Sequence, residues 1–167
     1  MRVTLKIPSK ILHEARTDLE RRHVFAHERV GFFRAAAAGV PGGIILCITD
    51  YHPVADEDYE RSADCGAQIG SEAMRKAVQA AYKPARALLH VHSHGGHGKP
   101  VFSHTDTRSA DEFVPGFFSP VPRMPHGLLV LSDDSATGLL WTDPKQRPLR
   151  IESFVKAGQR YSRDWKS

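Results

Sequence analysis

Only two cysteines, Cys47 and Cys65, occur in 167 residues, and no Cys-x-x-Cys is present. That spacing excludes a disulfide framework and the cysteine signature of the zinc deaminases. Both thiols are expected to be free, with Cys47 inside a buried apolar strand. Long apolar runs are also missing, and the start, Met-Arg-Val-Thr-Leu-Lys-Ile-Pro, has no signal-peptide core. No membrane span is therefore expected, and the expected location is the cytoplasm. There is no His-Glu-x-x-His, because Gly31 stands where a second histidine would follow His27-Glu28. Repeats and low-complexity tracts are absent too. Neither sign of charge dominates: the net charge is +4, and the densest basic groups are Arg21-Arg22 and the tail residues Arg160, Arg163 and Lys166. A nucleic-acid surface would concentrate such charge in a stripe with interleaved aromatics, so a nucleic-acid partner is not expected.

What is present describes a globular chain, 41% apolar and 25% charged, long enough for one domain with a sizeable core. The domain is expected to span residues 1–156, with a polar tail over 157–167. Val3, Leu5 and Ile7 alternate as in a half-buried strand, and Ser9 is placed to cap a helix from Lys10 to Arg22 with Ile11, Leu12, Ala15 and Leu19 on one face. Glu28–Arg34 and Ile44–Asp50 read as a hairpin joined by Ala35–Gly43, whose glycines and Pro41 mark a turn. A second amphipathic helix is expected from Gly66 to Lys83, then a central strand from Ala85 to Val91. Phe113, Phe117 and Phe118 lie among four prolines in the segment 107–126, which reads as a long loop capping the core or walling a groove. Strands over Gly127–Leu131 and Thr137–Thr142, with another at Leu149–Val155, complete an α/β pattern.

The central strand leads into His-Ser-His-Gly-Gly-His-Gly-Lys-Pro-Val-Phe-Ser-His-Thr-Asp, residues 92–106. Alternate side chains share one face of a strand, so His92 and His94 point together. With the carboxylate of Asp106 they make a zinc-type donor set of two imidazoles and one oxygen, which leaves a fourth position open for water. A structural reading stands beside this one. Among ten histidines a His-x-His arises by chance, and Ser103-x-x-Asp106 also fits a helix capping box. The two readings are compatible, because a helix start can aim the carboxylate at the metal. His90 shares the ligand face and reads as a polar core residue rather than a hydrogen-bond partner of the ligands, the other reading its position allows, while His97 and His104 flank the ligands without a spacing that favours coordination and read as bystanders or substrate contacts. Hydrolysis needs a base beside the bound water. Glu28 is the candidate, a lone carboxylate entering an apolar stretch; Glu14 and Glu20 fall on a surface helix.

Glu28, His92-Ser93-His94, Ser103 and Asp106 together resemble the JAMM motif of the MPN metalloproteases, in which a distant Glu precedes His-Ser/Thr-His and Ser-x-x-Asp. The resemblance runs from the first strand to about Trp141. The chain departs from the pattern at Gly95, where proline is usual, and in a His94-to-Ser103 spacer one residue longer than the commonest form. The resemblance implies an MPN (cytidine-deaminase-like) fold, a curved mixed sheet flanked by helices. It also implies one zinc ion on His92, His94 and Asp106, with Glu28 as general base and then acid, and Ser103 as hydrogen-bond donor to the oxyanion. The implied substrate is the C-terminal tail of a ubiquitin-like protein, in conjugates or as a precursor. Similar small bacterial members are encoded beside activating and conjugating enzymes in antiphage systems. By the same resemblance, Tyr51 to Tyr59 is a candidate surface for gripping that partner. Two rival functions are an MPN hydrolase that trims a sulfur-carrier protein and a non-catalytic MPN scaffold.

Overall fold

Alternation in the first seven residues buries Val3, Leu5 and Ile7, and the computed structural model places them on β1 (Arg2–Pro8). It describes residues 1–22, 26–61, 66–158 and 163–164; Cys65 lies outside them. Helix α1 (Ser9–Leu19) buries Leu12, Ala15 and Leu19, spaced three and four apart on one face. It stops at Leu19, short of Arg22. Ser9 does not cap it: its hydroxyl donates to the Ala157 carbonyl at 2.9 Å, tying the helix start to a distant strand.

The next two elements, β2 (Val30–Val40) and β3 (Gly43–Pro53), form the expected hairpin, but with longer arms. The alanine run expected in the connection is strand, paired residue by residue from Ala35 with Ile48 to Val40 with Gly43. Only Pro41-Gly42 turns. Alanine's weak strand preference is overridden by a continuous ladder of cross-strand bonds. Cys47, expected in the interior, is exposed. Leu46 and Ile48 are buried beside it, so alternation turns the thiol outward.

Beyond β3, Asp56–Asp58 form a 3-10 turn, and β4 (Tyr59–Glu60) pairs with β5 (Gln68–Ile69). Part of the expected second helix is therefore strand, and α2 covers only Ser71–Tyr82, burying Ala73, Ala77 and Ala81. Strand β6 (Ala87–Ser93) lies between β2 and β7 (His126–Leu131), antiparallel to the first and parallel to the second. The segment between β6 and β7 is not a long loop. From His104 to Phe117 it is helix α3, which buries Ala110, Val114 and Phe117. Pro115 falls in its last turn, so the ladder bond it removes lies at the end of the helix.

After β8 (Ala136–Trp141), the expected last strand divides in two: β9 (Leu149–Arg150) pairs with β8, while β10 (Ser153–Ala157) pairs in parallel with β1. A final β11 (Arg163–Asp164) adds to β10 from the tail. The sheet order is β11-β10-β1-β3-β2-β6-β7-β8-β9. Because Ile151 N–H bonds the Gly138 carbonyl and Glu152 N–H bonds that of Val3, this short stretch joins the two ends of the sheet. The sheet must curl to allow it. The architecture is α/β, a curled mixed sheet with α1 packed on one core and α2 and α3 on the other. Among the described residues, no helix is long and apolar enough to cross a membrane.

Candidate metal centre

Strand β6 is central and nearly all buried, so whatever it carries at its end is held by neighbours on both sides. Its register sets His92 opposite Val30 of β2 and beside Val130 of β7. His92 is almost wholly buried. Just past the strand, the His94 N–H bonds the Leu131 carbonyl at 3.0 Å, which continues the β7 ladder by one residue.

The glycine loop then leaves sharply. Gly95, Gly96 and Gly98 have φ of 63°, 69° and 90°, a region that other residues seldom adopt and that proline's ring forbids. Proline could not take this conformation at position 95. The loop is stitched to the β7–β8 turn: Asp133 N–H bonds the Gly96 carbonyl, Gly98 N–H bonds Asp134, and the Ser132 hydroxyl bonds the Gly98 carbonyl.

Asp106 arrives from α3. Ser103 caps this helix, its Oγ accepting the Asp106 N–H at 3.0 Å while the Asp106 carboxylate accepts the Ser103 N–H at 2.7 Å. The expected capping box is thus present, and it fixes where the carboxylate points. His92 Nε2 lies 3.1 Å from His94 Nε2 and 3.2 Å from one Asp106 oxygen; His94 Nε2 lies 3.4 Å from the other. With zinc–ligand bonds of about 2.0–2.1 Å, adjacent ligands of a tetrahedron stand about 3.3 Å apart. The two imidazole nitrogens have about that spacing, each imidazole nitrogen has it to one of the two Asp106 oxygens, and one donor atom from each residue lies within 4.8 Å of the others. The donor set also fits zinc chemically, with two borderline nitrogens and one oxygen.

Electrostatics favour the ionised carboxylate. Burial works to raise the Asp106 pKa, but the hydrogen bond and charge of His92 and the bonds from Ser103 outweigh it and hold the group well below the usual range. His90 lies beneath, its ring 5.9 Å from that of His92 and packed against Phe32 and Phe113. Burial, helped by the neighbouring His92, lowers its pKa to about 3, so it is neutral at pH 7. Its Nδ1 is buried without a partner.

Glu28 sits in a bend two residues before β2, so the strand begins at Val30 rather than at Glu28. It is half-buried and lines a cavity together with His92 and Asp106. Its N–H bonds the Gly66 carbonyl at 2.9 Å, and a Cβ on residue 66 would lie 2.5 Å from the Glu28 carboxylate. Only glycine allows that approach. On its other side Glu28 is followed by Arg29, a buried guanidinium that donates to Asp56 at 2.5 Å and lies over the Tyr59 ring. The Tyr59 hydroxyl in turn accepts the Val30 N–H and donates to the Val30 carbonyl. Tyr51 is buried too, donating to Asp18 at 2.6 Å. Within the stretch expected as a partner-gripping surface, Tyr51 and Tyr59 are thus buried, while Pro53, Asp56 and Glu57 remain exposed.

Of the five expected site residues, the structure brings His92, His94 and Asp106 into one cluster and lines the adjoining cavity with Glu28. Ser103 is at the helix cap and does not line that cavity, though its own hydroxyl proton is not used by the cap. His97 pairs loosely with Asp133 at 3.4 Å, and His104 opens α3 on the surface; neither belongs to the cluster. Sequence reasoning missed Thr105, Ser109 and Glu112 on the face of α3 that lines the cavity, while Phe113, named there as part of a possible groove wall, lines it too. Their spacing of four, three and one is helical, and the capping box marked where that helix begins.

No family model matches the chain, and a comparison with curated protein sequences likewise finds no match. A similar solved structure is the STIL N-terminal domain of Trichoplax adhaerens, 12% identical, with a TM-score of 0.42 over 83% of this chain and 41% of that one. This chain therefore spans less than half the length of that domain, and a likeness so slight carries no functional argument.

Proposed function

We propose that this chain is a zinc hydrolase of the JAMM type on an MPN fold, cleaving the peptide or isopeptide bond after the C-terminal tail of a ubiquitin-like protein. The observation that carries the reading is the gathering of donor atoms from His92, His94 and Asp106 into one cluster, beside a cavity lined by Glu28. The motif order supports the family and, through it, the substrate. The partners proposed on that ground are a ubiquitin-like protein, its conjugates, and the activating and conjugating enzymes of a bacterial antiphage system.

Bound zinc would supply a Lewis acid and bring a water toward ionisation near neutral pH. The chain's own residues do the rest. Glu28 takes a proton from the attacking water as the new carbon–oxygen bond forms. It returns that proton to the nitrogen as the carbon–nitrogen bond breaks, leaving a carboxylic acid and an amine, which ionise to carboxylate and ammonium. Ser103 donates a hydrogen bond from its hydroxyl to the developing oxyanion. The brace of Arg29, Asp56 and Tyr59 together with the Gly66 carbonyl holds the bend that presents Glu28.

Zinc content measured alongside cleavage of a ubiquitin-like fusion, in wild type and Glu28→Gln, tests this reading. One zinc per chain in both proteins is expected, with turnover lowered about 10²–10⁴-fold in the variant. Zinc-free wild type that cleaves nothing after zinc is restored would reduce Asp106 to its helix cap and favour a scaffold.

A further inference from the structure

The cavity beside the metal cluster has a volume of about 450 Å³, within the range of small-ligand pockets. Its apolar wall comes from Val30 of β2, Ile69 of β5, Met74 of α2, Phe113 of α3 and Leu128 of β7. Five separate elements therefore turn apolar atoms toward one space. This wall suits an aliphatic chain.

Among the described residues, the charged groups that line the cavity are all of one sign. Asp106, Glu28 and Glu112 line it, and among the described residues no lysine or arginine does. Asp106 and Glu28 together would balance the two charges of a zinc ion. Glu112 is left over. It stands six residues beyond Asp106 on α3, about 9 Å along the helix at 1.5 Å per residue. Its partner is Arg108 at 3.6 Å, with both side chains largely exposed, a pair too weak to hold it from a competing cation.

We propose that this cavity is a specificity pocket for a lysine side chain next to the scissile bond. The aliphatic stem lies against Met74 and Phe113, and the ammonium is read by Glu112. As a statement about cleavage this rests on the hydrolase reading above; as a statement about binding it stands on the cavity alone. A free lysine beside the bond is a preference of this chain's own wall, set by a carboxylate that the metal motif does not include.

The test compares two blocked amino acids of nearly equal shape, Nα-acetyl-lysine N-methylamide and Nα-acetyl-norleucine N-methylamide, which differ by the ammonium. Each is titrated into zinc-loaded and metal-free protein, with the Met74 methyl resonance as reporter. The lysine compound is expected to bind about fivefold tighter, the upper range for a partly exposed charge pair, and to shift Met74. Glu112→Gln should erase the preference. Asp111→Asn, an equal charge change at an exposed neighbour outside the cavity, should keep it. Equal affinity for the two compounds, a preference that survives Glu112→Gln, or binding that leaves Met74 unmoved would each overturn the proposal. Lysine preference in a protein that holds zinc yet cleaves nothing would retain the pocket and remove the hydrolase. Cleavage of fusions by a protein indifferent to the ammonium would do the reverse.

Discussion

His126 and the pair His92–His94 are the same residue type on adjacent strands, yet the fold treats them in opposite ways. His126 opens β7 with no exposed surface, and both of its ring nitrogens are used: Nδ1 accepts the Leu88 N–H at 3.1 Å and Nε2 donates to the Val121 carbonyl at 3.0 Å. Those two bonds fix one neutral tautomer. His92 and His94 instead turn their Nε2 atoms toward each other and toward a carboxylate, 3.1 to 3.4 Å apart. A histidine satisfied by backbone is part of the scaffold. Histidines whose nitrogens converge with a carboxylate are a group that could hold a metal ion.

The sharpest way to break this comparison is to delete one histidine from each region. His94→Ala is expected to weaken zinc binding by more than about a hundredfold, since even the partners of zinc ligands cost 10–100-fold when lost. The metal-free fold should keep its stability, because no core contact depends on that ring. Zinc should raise the melting temperature of wild type and leave that of the variant unchanged. His126→Ala should do the opposite. It leaves a cavity, an orphaned Leu88 N–H and an orphaned Val121 carbonyl, and should cost about 2–4 kcal/mol of stability while zinc affinity of the folded protein stays the same. Calorimetry and a zinc titration on both variants check the pair. Equal loss of zinc in both would dissolve the distinction.

Protonation sharpens the contrast further. Burial lowers the His126 pKa from its ordinary 6.5 to about 4, outweighing its backbone bonds. Between those values the unfolded chain binds a proton that the folded chain refuses, so stability rises with pH across the window. The contribution is complete above about pH 6.5 and lost as the pH falls toward 4, a span worth about 3 kcal/mol. Nitrogen-resolved NMR of the ring should find the Nε2–H tautomer unchanged from pH 8 to 5. A midpoint near 6.5 would show that the ring is not enclosed as described.

What could be read from the sequence follows the distance over which each feature is decided. His92 and His94 are two residues apart, and Ser103 and Asp106 three, so strand alternation and a helix cap bring each pair together locally. Strands β1, β6, β7 and β8 announced themselves by runs whose faces depend on nearest neighbours. Helix α3 did not, because Pro115 and three phenylalanines imitate a loop, and only packing against β7 shows that they cover a core. The division of Leu149–Val155 into β9 and β10 depends on the curl of the whole sheet. Cys47 was misplaced because an apolar strand at one face of a sheet looks, in sequence, like one buried on both. The brace behind Glu28 joins Asp18, Arg29, Asp56 and Tyr59 across more than forty residues, a juxtaposition no spacing rule contains.

The smallest expected effect concerns the loop that separates the two regions. Gly95 follows His94 directly and has φ of 63°, where a β-carbon costs about 1–2 kcal/mol. No heavy atom lies within 4 Å of the position that carbon would take, so Gly95→Ala meets no steric obstacle beyond the backbone strain itself. The loop can relieve the strain only by rotating at residue 95, and the bonds from Gly96 and Gly98 to the β7–β8 turn resist that on the far side. The rotation is then passed back to His94, whose Nε2 must move relative to His92. Gly95→Ala should therefore lose about 1 kcal/mol of stability, leave His126 untouched in its NMR signature, and weaken zinc binding several-fold. If zinc affinity holds while stability falls, the imidazole is aimed by the Leu131 carbonyl and β6 alone, and the glycine loop serves the turn rather than the metal.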